Sequence, residues 1–259
     1  MSRSAWQLPP GVSRGTWDYA QAEHIARDYD GYFADCQLFA HDQGVARRYF
    51  QQPGVVADFG CGTGRALLPL MRAGHTGIAI DLSAEMLSVV AEKAQLEGLP
   101  VTLVRANLVE CGSVADSVAD YGICFFSTLG MIRGAEHRLT ALRHMHRIIK
   151  PGGTLVIHVH NVWNNLYDPG GPWWLLKNMW QSARRDDLEF GDKYYPYRQI
   201  PQMFLHVFRR VEIRGAMQQA GFTIREVIPV APGTYKPLRC PWLLSNLRCS
   251  GWILAGQKS

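Results

Sequence analysis

The chain has 259 residues, of which 47% are hydrophobic and 19% are charged, and it carries a formal net charge of +5. This length can bury a full core, and the composition is typical of a soluble globular protein with one large domain. The mild basic excess permits an anionic partner such as RNA, but it lacks the dense basic stripe of a dedicated nucleic-acid-binding protein. No apolar run reaches about 18 residues, which excludes a membrane-spanning helix.

The N-terminus lacks the apolar core of a signal peptide. None of the six cysteines forms a C-x-x-C pair, so we interpret them as reduced thiols without disulfide or metal-binding roles. These features predict a cytoplasmic protein with no membrane partner.

Residues 1–50 are predicted to form an N-terminal arm followed by cap helices. Prolines and glycines within residues 1–16 predict a loose arm. Aromatic residues recur at helical spacing through residues 17–50, which predicts one or two helices that end before Pro53.

Short apolar runs alternate with helical patterns through residues 51–160, which predicts βαβ units and a largely parallel sheet. The strands are expected at residues 55–59, 76–80, 101–105, 121–126 and 154–159. The helices are expected at residues 65–73, 83–97 and 135–149. Residues 208–259 should complete the same domain, with a helix over 209–220 and strands over 222–228 and 251–255.

An aromatic-rich insertion over residues 161–207 interrupts this alternation. It holds four tryptophans and a tyrosine cluster at 194–197, and it is too long for a simple connection. Four interpretations remain open for it: a self-contained small core, a lid over an apolar acceptor, a dimer contact, or a surface that stacks nucleobases.

The predicted first strand runs directly into Gly60-Cys61-Gly62-Thr63-Gly64, and a helix follows. Alternating glycines allow a tight turn and close approach to a ligand, and the next helix offers free backbone N–H groups. Dinucleotide-binding proteins use G-x-G-x-x-G, in which the third glycine would stand at position 65. Arg65 stands there instead, and Asp58 lies two residues before the loop, so the spacing counts against NAD.

Asp81 ends the predicted second strand, about 20 residues past the glycine loop, where a carboxylate can accept hydrogen bonds from ribose hydroxyls. The alternative is that Asp81, like Ser83, caps the following helix. Because the glycine loop and Asp81 occur together at this spacing, we favour the interpretation in which Asp81 binds a ribose.

Three segments, in order and at fitting distances, resemble the motifs of the class I S-adenosylmethionine-dependent methyltransferases. Residues 57–64 are similar to their glycine-rich first motif, residues 78–87 to their second motif, and residues 142–155 to the stretch before their fifth strand. The resemblance covers about residues 28–160 and extends more weakly to residues 219–222. It implies a Rossmann-like α/β fold, with a seven-stranded, mostly parallel sheet, an antiparallel last strand and flanking helices.

The resemblance also implies that S-adenosylmethionine is the methyl donor and S-adenosylhomocysteine the product. The residues expected to bind the donor come from the glycine loop, from the ends of the first four strands and from the N-terminal helix. They are Tyr29, Asp58, Gly60, Cys61, Gly62, Gly64, Asp81, Leu82, Met86, Asn107, Leu108, Phe126 and Ser127.

Several of these residues have specific expected roles. Asn107 stands where many relatives have an acidic residue, and its carbonyl oxygen could accept from the adenine amino group. Phe126 and Ser127 match the segment that lines the transferred methyl group. Tyr29 matches the helix that covers the donor, with a packing tyrosine as the alternative.

The sequence says less about the acceptor. His160 at the end of the fifth strand and His206 before the late helix are candidate catalytic bases or orienting groups, and a packed, hydrogen-bonded histidine is the alternative for each. Residues i and i+2 of a helix do not face each other, and no acidic or cysteine cluster accompanies His144 and His146 or His158 and His160, so no metal site is expected.

The sequence therefore predicts a methyltransferase acting by in-line displacement, with a small-molecule acceptor favoured. A tRNA-modifying methyltransferase, a non-catalytic donor-binding protein and a nicotinamide-dependent oxidoreductase are the alternatives. The protein is expected to be a monomer or a homodimer.

Overall fold

The computed structural model describes residues 8–34, 36, 38–234 and 236–259. The strands, in chain order, are β1 (Val55–Phe59), β2 (Thr76–Asp81), β3 (Val101–Arg105), β4 (Ala119–Cys124), β5 (Ile149–His160), β6 (Asp192–Tyr197), β7 (Ile200–His206), β8 (Phe222–Val230) and β9 (Gly251–Lys258). Seven of them form one sheet in the order β3-β2-β1-β4-β5-β9-β8, and β6 and β7 form a separate hairpin.

The sheet is parallel from β3 to β5, whereas β9 runs antiparallel to both of its neighbours, β5 and β8. This confirms the predicted mostly parallel sheet with an antiparallel last strand. The central strands β1 and β4 are largely apolar and mostly buried, as parallel strands covered by helices on both faces must be. The connections diverge on either side of β1 and β4, so a ligand crevice is expected at the carboxyl ends of these strands.

The helices lie on both faces of the sheet. They are α1 (Arg14–Ala20), α2 (Glu23–Tyr32), α3 (Leu38–Tyr49), α4 (Leu67–Arg72), α5 (Ala84–Glu97), α6 (Ala135–Ile148), α7 (Gly171–Ser182), α8 (Arg210–Gln219) and α9 (Ser245–Arg248). One core cluster packs α6 and α8 against the sheet, and a second packs α3, α4 and α5 against the opposite face. Within the described ranges, every helix falls short of the length and apolarity needed to cross a membrane.

The prediction of a loose N-terminal arm is wrong for residues 8–16. Ser13 caps α1 by accepting from the backbone N–H of Thr16, and Val12 forms a β-bridge with Ile132. A Cβ on Gly15 would lie 2.0 Å from the carbonyl oxygen of Gln202, so this glycine allows α1 to contact the hairpin backbone directly. Residues 1–7 of the predicted arm lie outside the described residues.

The insertion over residues 161–207 folds into two units. A 3₁₀ turn (Val162–Tyr167) and α7 enclose a small core of Val162, Leu175 and Val207, with Trp163 and Trp174 packed against it. The hairpin instead packs on the N-terminal helices, because Ile200 and Met203 share a cluster with Ile25, Ala26 and Tyr29. The insertion therefore contains a core of its own and a hairpin that reaches across the sheet edge.

Candidate functional site

A cavity of about 350 Å³ opens at the carboxyl ends of the parallel strands, beneath α1, α2 and the hairpin. It brings together most of the residues singled out from the sequence: Tyr29, Asp58, Gly60, Cys61, Gly62, Asp81, Leu82, Met86, Asn107, Leu108, Phe126 and His160. Gly64, Ser127 and His206 do not line it.

The glycine loop lies against the end of β2. The N–H groups of Gly60 and Cys61 both donate to the carbonyl oxygen of Ile80, at 2.8 and 3.1 Å. Gly60 has a φ of +84°, and a Cβ there would lie 2.2 Å from the Thr128 methyl group. Gly62, with a φ of +52°, has open space where a Cβ would be. The loop therefore requires glycine at 60 for its own packing and leaves its backbone accessible at 62.

Gly64 was expected to contact the donor, but it does not line the cavity and instead allows close packing of the loop. Its N–H donates to the carbonyl oxygen of Cys61 at 2.9 Å. A Cβ at Gly64 would lie 3.2 Å from the side chains of Leu68 and Val90, so the glycine lets the loop pack closely on α4 and α5.

Asp81 is held across the mouth of the glycine loop. Its two carboxylate oxygens accept from the N–H of Gly62 at 2.8 Å and from the N–H of Ser83 at 2.9 Å. Burial raises the pKa of Asp81, and these backbone hydrogen bonds oppose that rise. Ser83 caps α5 through its own hydroxyl, so the capping role belongs to Ser83. Each Asp81 oxygen keeps a lone pair that can accept from a ligand hydroxyl.

Asp58 presents a polar group that the described protein does not satisfy. The residue is 2% exposed, and its Oδ2 atom has no hydrogen-bond partner among the described residues. Burial, followed by the nearby Asp81 charge, raises the pKa of Asp58 well above its ordinary value. An unpaired buried carboxyl oxygen is costly, so its place in the cavity wall fits a ligand that brings a cationic N–H group.

A network that the sequence analysis missed fastens α2 to the glycine loop. The hydroxyl of Thr63 donates to Asp30 at 2.6 Å. Lys93, on α5, donates to the Thr63 carbonyl oxygen at 2.9 Å and forms an ion pair with Asp30. The cover over the cavity is thus tied to the loop by charge as well as by apolar packing.

Asn107 is engaged in holding the cavity wall together. Its Oδ1 atom accepts from the N–H of Val109 at 3.2 Å, and its Nδ2 atom donates to the carbonyl oxygen of Pro10 at 2.9 Å. The first bond caps the short turn Leu108–Glu110, and the second fixes the segment that leads into α1. One lone pair of Oδ1 remains for a ligand amino group.

A continuous series of aromatic rings forms another part of the cavity wall. We call this series the aromatic wall; its members are Tyr32, Phe33, Phe126, Tyr195 and Tyr197, with His160 at its end. Neighbouring ring centroids lie 4.8 to 6.3 Å apart. The helical spacing of Tyr29, Tyr32 and Phe33 was a usable sequence signal, whereas nothing local indicated that Tyr195 and Tyr197 would join them.

Two consecutive residues after β4 adopt the left-handed conformation, with φ of +55° at Phe126 and +59° at Ser127. Phe126 lies in the cavity wall, whereas Ser127 is fully buried behind it. Ser127 donates its N–H to the carbonyl oxygen of His158 at 3.0 Å, and its hydroxyl accepts from the N–H of His160 at 3.4 Å. Ser127 therefore joins β4 to β5 and does not reach the expected methyl position.

His160 lines the cavity at the end of β5, while His158 is buried and hydrogen-bonded to Asp42 at 3.0 Å. Burial lowers the pKa of His160 to about 3, and the charges of His158 and Lys193 add to that effect. The imidazole of His160 is therefore neutral near pH 7. It can donate or accept a hydrogen bond, but its pKa is poorly matched to general base catalysis.

His206 lies away from the cavity, in a buried ionic cluster, so its expected catalytic role is not supported by its position. Its Nδ1 and Nε2 atoms each lie 2.7 Å from a carboxylate oxygen, of Asp192 and Glu212 respectively. Arg138 pairs with Glu189 at 2.5 Å and lies 3.6 Å from Glu212. The cluster attaches the end of β7 to α6 and α8.

The same cluster contains a group with metal-ligand spacing, because ligand atoms of Glu189, His206 and Glu212 lie within 4.8 Å of one another. The Arg138 guanidinium already supplies the positive charge beside both glutamates. The arrangement is that of an ion-pair network, with each ring nitrogen of His206 directed at a carboxylate.

Comparison with known proteins places residues 56–153 in a family described as a methyltransferase domain. The chain is 36% identical over 142 residues to a demethylmenaquinone methyltransferase of Oceanobacillus iheyensis, covering 52% of this chain and 58% of that protein. It is 27% identical over 196 residues to a probable tRNA methyltransferase 9B of Bos taurus, covering 68% of this chain and 40% of that protein. The chain thus spans about half the length of these curated relatives.

Among solved structures, the fold is similar to a 1,6-didemethyltoxoflavin-N1-methyltransferase from Burkholderia thailandensis, crystallised with 1,6-didemethyltoxoflavin and S-adenosylhomocysteine. The TM-score is 0.60 at 16% sequence identity, and the match covers 97% of this chain and 93% of that one. At this identity the likeness establishes the fold, including the elements outside residues 56–153.

Proposed function

Because the chain belongs to the class I S-adenosylmethionine-dependent methyltransferases, we propose that it transfers a methyl group to a small acceptor with an aromatic body. One observation carries this proposal: a single cavity joins the unsatisfied carboxyl of Asp58 and the exposed backbone at Gly62 to the aromatic wall. The donor would bind beside Asp58 and Gly62, which we call the donor end, and a planar acceptor would bind against the aromatic wall, which we call the acceptor end.

The donor end fits S-adenosylmethionine through groups of the chain itself. Asp81 has lone pairs for the two ribose hydroxyls, and Asp58 has an unpaired oxygen for the ammonium of the methionine half. Leu82, Met86 and Leu108 supply apolar surface for the adenine. When bound, the donor supplies an electrophilic methyl group on sulfur and leaves as S-adenosylhomocysteine.

The acceptor end offers ring faces and neutral hydrogen-bonding groups. Burial raises the pKa of Tyr197 to about 12 and also raises that of Tyr195, so both phenols remain protonated near pH 7. The imidazole of His160 is neutral as well, and its pKa is too low for efficient proton removal. The proposed acceptor is therefore nucleophilic as bound, and the chain accelerates transfer by holding it in line with the methyl group.

The tRNA-modifying alternative is supported by the Bos taurus relative, which covers more of this chain than the Oceanobacillus relative does. The cavity argues for the smaller acceptor, because α1, α2 and the hairpin enclose it with apolar side chains. Binding of bulk tRNA that weakens steeply with added salt would favour the alternative, since phosphate contacts release counterions.

Calorimetry with S-adenosylmethionine, S-adenosylhomocysteine and NAD tests the donor assignment. We expect the first two to bind and NAD not to bind. Asp81→Asn should weaken donor binding about thirtyfold, because one charge-assisted bond of about 2 kcal/mol is lost. Asp186→Asn, at an exposed position, is the matched control and should leave the affinity unchanged. Binding of NAD alone would overturn the proposal.

Turnover of methyl-labelled donor against an acceptor panel tests the acceptor assignment. The panel should contain aromatic heterocycles, phenols and quinols, aliphatic amines, and bulk tRNA. Label is expected in the aromatic heterocycles, whose ring nitrogens are nucleophilic without loss of a proton. Transfer to tRNA alone would replace the small-molecule proposal, and donor binding without transfer to any member would support the non-catalytic alternative.

A further inference from the structure

The insertion and the loop before α9 expose large apolar side chains that do not line the cavity, and we call this set the apolar face. Its members belong to two segments, 166–180 and 242–247, and include every strongly exposed tryptophan among the described residues. They are Leu166, Tyr167, Trp173, Leu176, Met179, Trp180, Trp242, Leu243, Leu244 and Leu247. Large contiguous apolar patches on a monomeric protein usually mark an interaction site, so the grouping of these side chains around one turn calls for a partner.

The two segments adjoin the same 3₁₀ turn, Val162–Tyr167, against which both α7 and α9 pack. Asn161 caps this turn through its carbonyl oxygen and donates from Nδ2 to the carbonyl oxygens of Asn246 and Cys249, at 2.6 and 2.8 Å. Arg248 holds the neighbouring loop by donating to the carbonyl oxygens of Leu243 and Arg239. Trp242, 81% exposed, is therefore presented on a fixed loop.

The charges beside the second segment are all basic, whereas those beside α7 are mixed. Asp168 is exposed in the first segment and lies 3.6 Å from Lys193, and Asp187 is paired with Arg185. Lys177 is exposed on α7, and the Arg184 guanidinium lies 4.1 Å from the ring centroid of Trp180. Lys236 and Arg239 are exposed on the second segment. The chain contains no acidic residue after Glu226. Tryptophan and leucine flanked by lysine and arginine are the composition of helices that lie in the headgroup region of a bilayer.

We propose that this apolar face docks on the surface of an anionic lipid bilayer. α7, with 12 residues, is too short to cross a membrane and would lie in the plane of the headgroups. Its inward side covers Val207, and Leu205, which packs on the same small core, also lines the cavity. The docked face and the cavity thus share a wall.

A second copy of the chain is the less favourable occupant. A two-fold contact through this face would place the same basic residues on both sides of the interface. An anionic lipid surface instead pairs each of them with opposite charge, which contributes about fivefold in affinity per lysine or arginine close to the membrane.

Co-sedimentation with vesicles tests this docking without any methyl donor. The full chain should bind vesicles of equal phosphatidylcholine and phosphatidylglycerol, and bind pure phosphatidylcholine more weakly. Replacing Trp173, Trp180 and Trp242 together with serine should abolish binding. Lys177→Gln combined with Arg239→Gln should weaken it about thirtyfold, because two charges near the surface are removed. Leu96→Ser, at an exposed apolar position on α5, is the control and should bind as the parent does.

Circular dichroism of each variant separates lost docking from lost folding. The proposal fails if the parent chain binds neither kind of vesicle, or if the tryptophan variant binds like the parent. It also fails if the parent chain does not bind vesicles and light scattering shows that it is a dimer, whereas the tryptophan variant is a monomer. The apolar face would then join two copies of the chain. Donor binding in calorimetry is unaffected by these outcomes, so failure here is distinct from failure of the proposed function.

Discussion

The two ends of the cavity are built in different ways. At the proposed donor end, the groups are backbone atoms of the glycine loop, the carboxylate of Asp81, which backbone hydrogen bonds fix, and the carboxyl of Asp58, all near the ends of parallel strands. At the acceptor end, the groups are aromatic side chains, most of which come from α2 and the hairpin, outside the sheet. Under the proposed function, the sheet positions the groups that bind the methyl donor, and the attached elements supply the surface that would select an acceptor.

The interactions that hold the two ends of the cavity in place differ as well. The glycine loop is held by hydrogen bonds to Ile80, its direct neighbour in the sheet. The hairpin depends on contacts that are distant in sequence, namely the apolar cluster with α2 and the ionic cluster around His206. A change at the acceptor end can therefore alter selectivity while donor binding persists.

The largest effect that would sharpen this contrast is expected from Tyr195→Leu. Tyr195 lines the cavity, whereas its neighbour Tyr194 points to the other side of the hairpin and packs on Phe204. Loss of a ring contact should raise the KM for an aromatic acceptor about tenfold, with donor affinity unchanged. Tyr194→Leu is the matched control in steady-state kinetics. Equal effects of the two substitutions, or a weakened donor in calorimetry, would contradict the division between the ends.

A smaller effect is expected at His160. A neutral imidazole that orients the acceptor contributes one ordinary hydrogen bond, so His160→Phe should lower kcat/KM about fivefold, and His160→Gln should retain most of the activity. The kcat/KM profiles of the parent and of His160→Gln should have the same shape around pH 6.5, because the pKa of His160 is about 3. A loss of a hundredfold or more in both variants would instead mark His160 as a general base.

The proposed donor end was predictable because its backbone conformation depends on residues that are adjacent in sequence. Glycine spacing, an apolar strand and an acidic residue at a strand end are local signals, and the structure places Gly60, Gly62 and Asp81 as a unit. Side-chain direction within that region was harder to predict. Ser127 follows Phe126 directly, and both residues have a left-handed backbone. The ring of Phe126 nevertheless lines the cavity, whereas the side chain of Ser127 is fully buried.

The hairpin could not be predicted because its turn lacks the usual residues. Arg198 and Gln199 both have positive φ, at +45° and +69°, a conformation that normally calls for asparagine or glycine. Distant contacts offset the strain: Arg198 donates to Asp28 at 2.6 Å and lies 4.5 Å from the ring centroid of Tyr32. Two prolines in the flanking strands further obscure the pattern. The acceptor wall therefore depends on tertiary contacts that no local spacing reveals.

The smallest expected effect concerns the ionic cluster that fastens the hairpin. Burial lowers the pKa of His206, but hydrogen bonds with Asp192 and Glu212 outweigh it, and the net pKa lies above the ordinary 6.5. A group whose pKa is raised by folding stabilises the protein fully below its unfolded pKa, and this contribution is lost as the pH rises through the folded value. The imidazolium can donate to both carboxylates at once, whereas the neutral ring can donate to only one.

His206→Gln should therefore lower the free energy of unfolding by about 1 kcal/mol at pH 6, and the difference from the parent should shrink by pH 9. Arg138, Glu189 and Glu212 are present in the parent and in the variant, so the difference between the two proteins reports the loss of the His206 side chain. Urea unfolding at the two pH values measures the change, with the exposed His24→Gln as control. A difference that grows with pH would mean that His206 is buried as the neutral ring, and the hairpin would then be held by apolar packing without help from this charge.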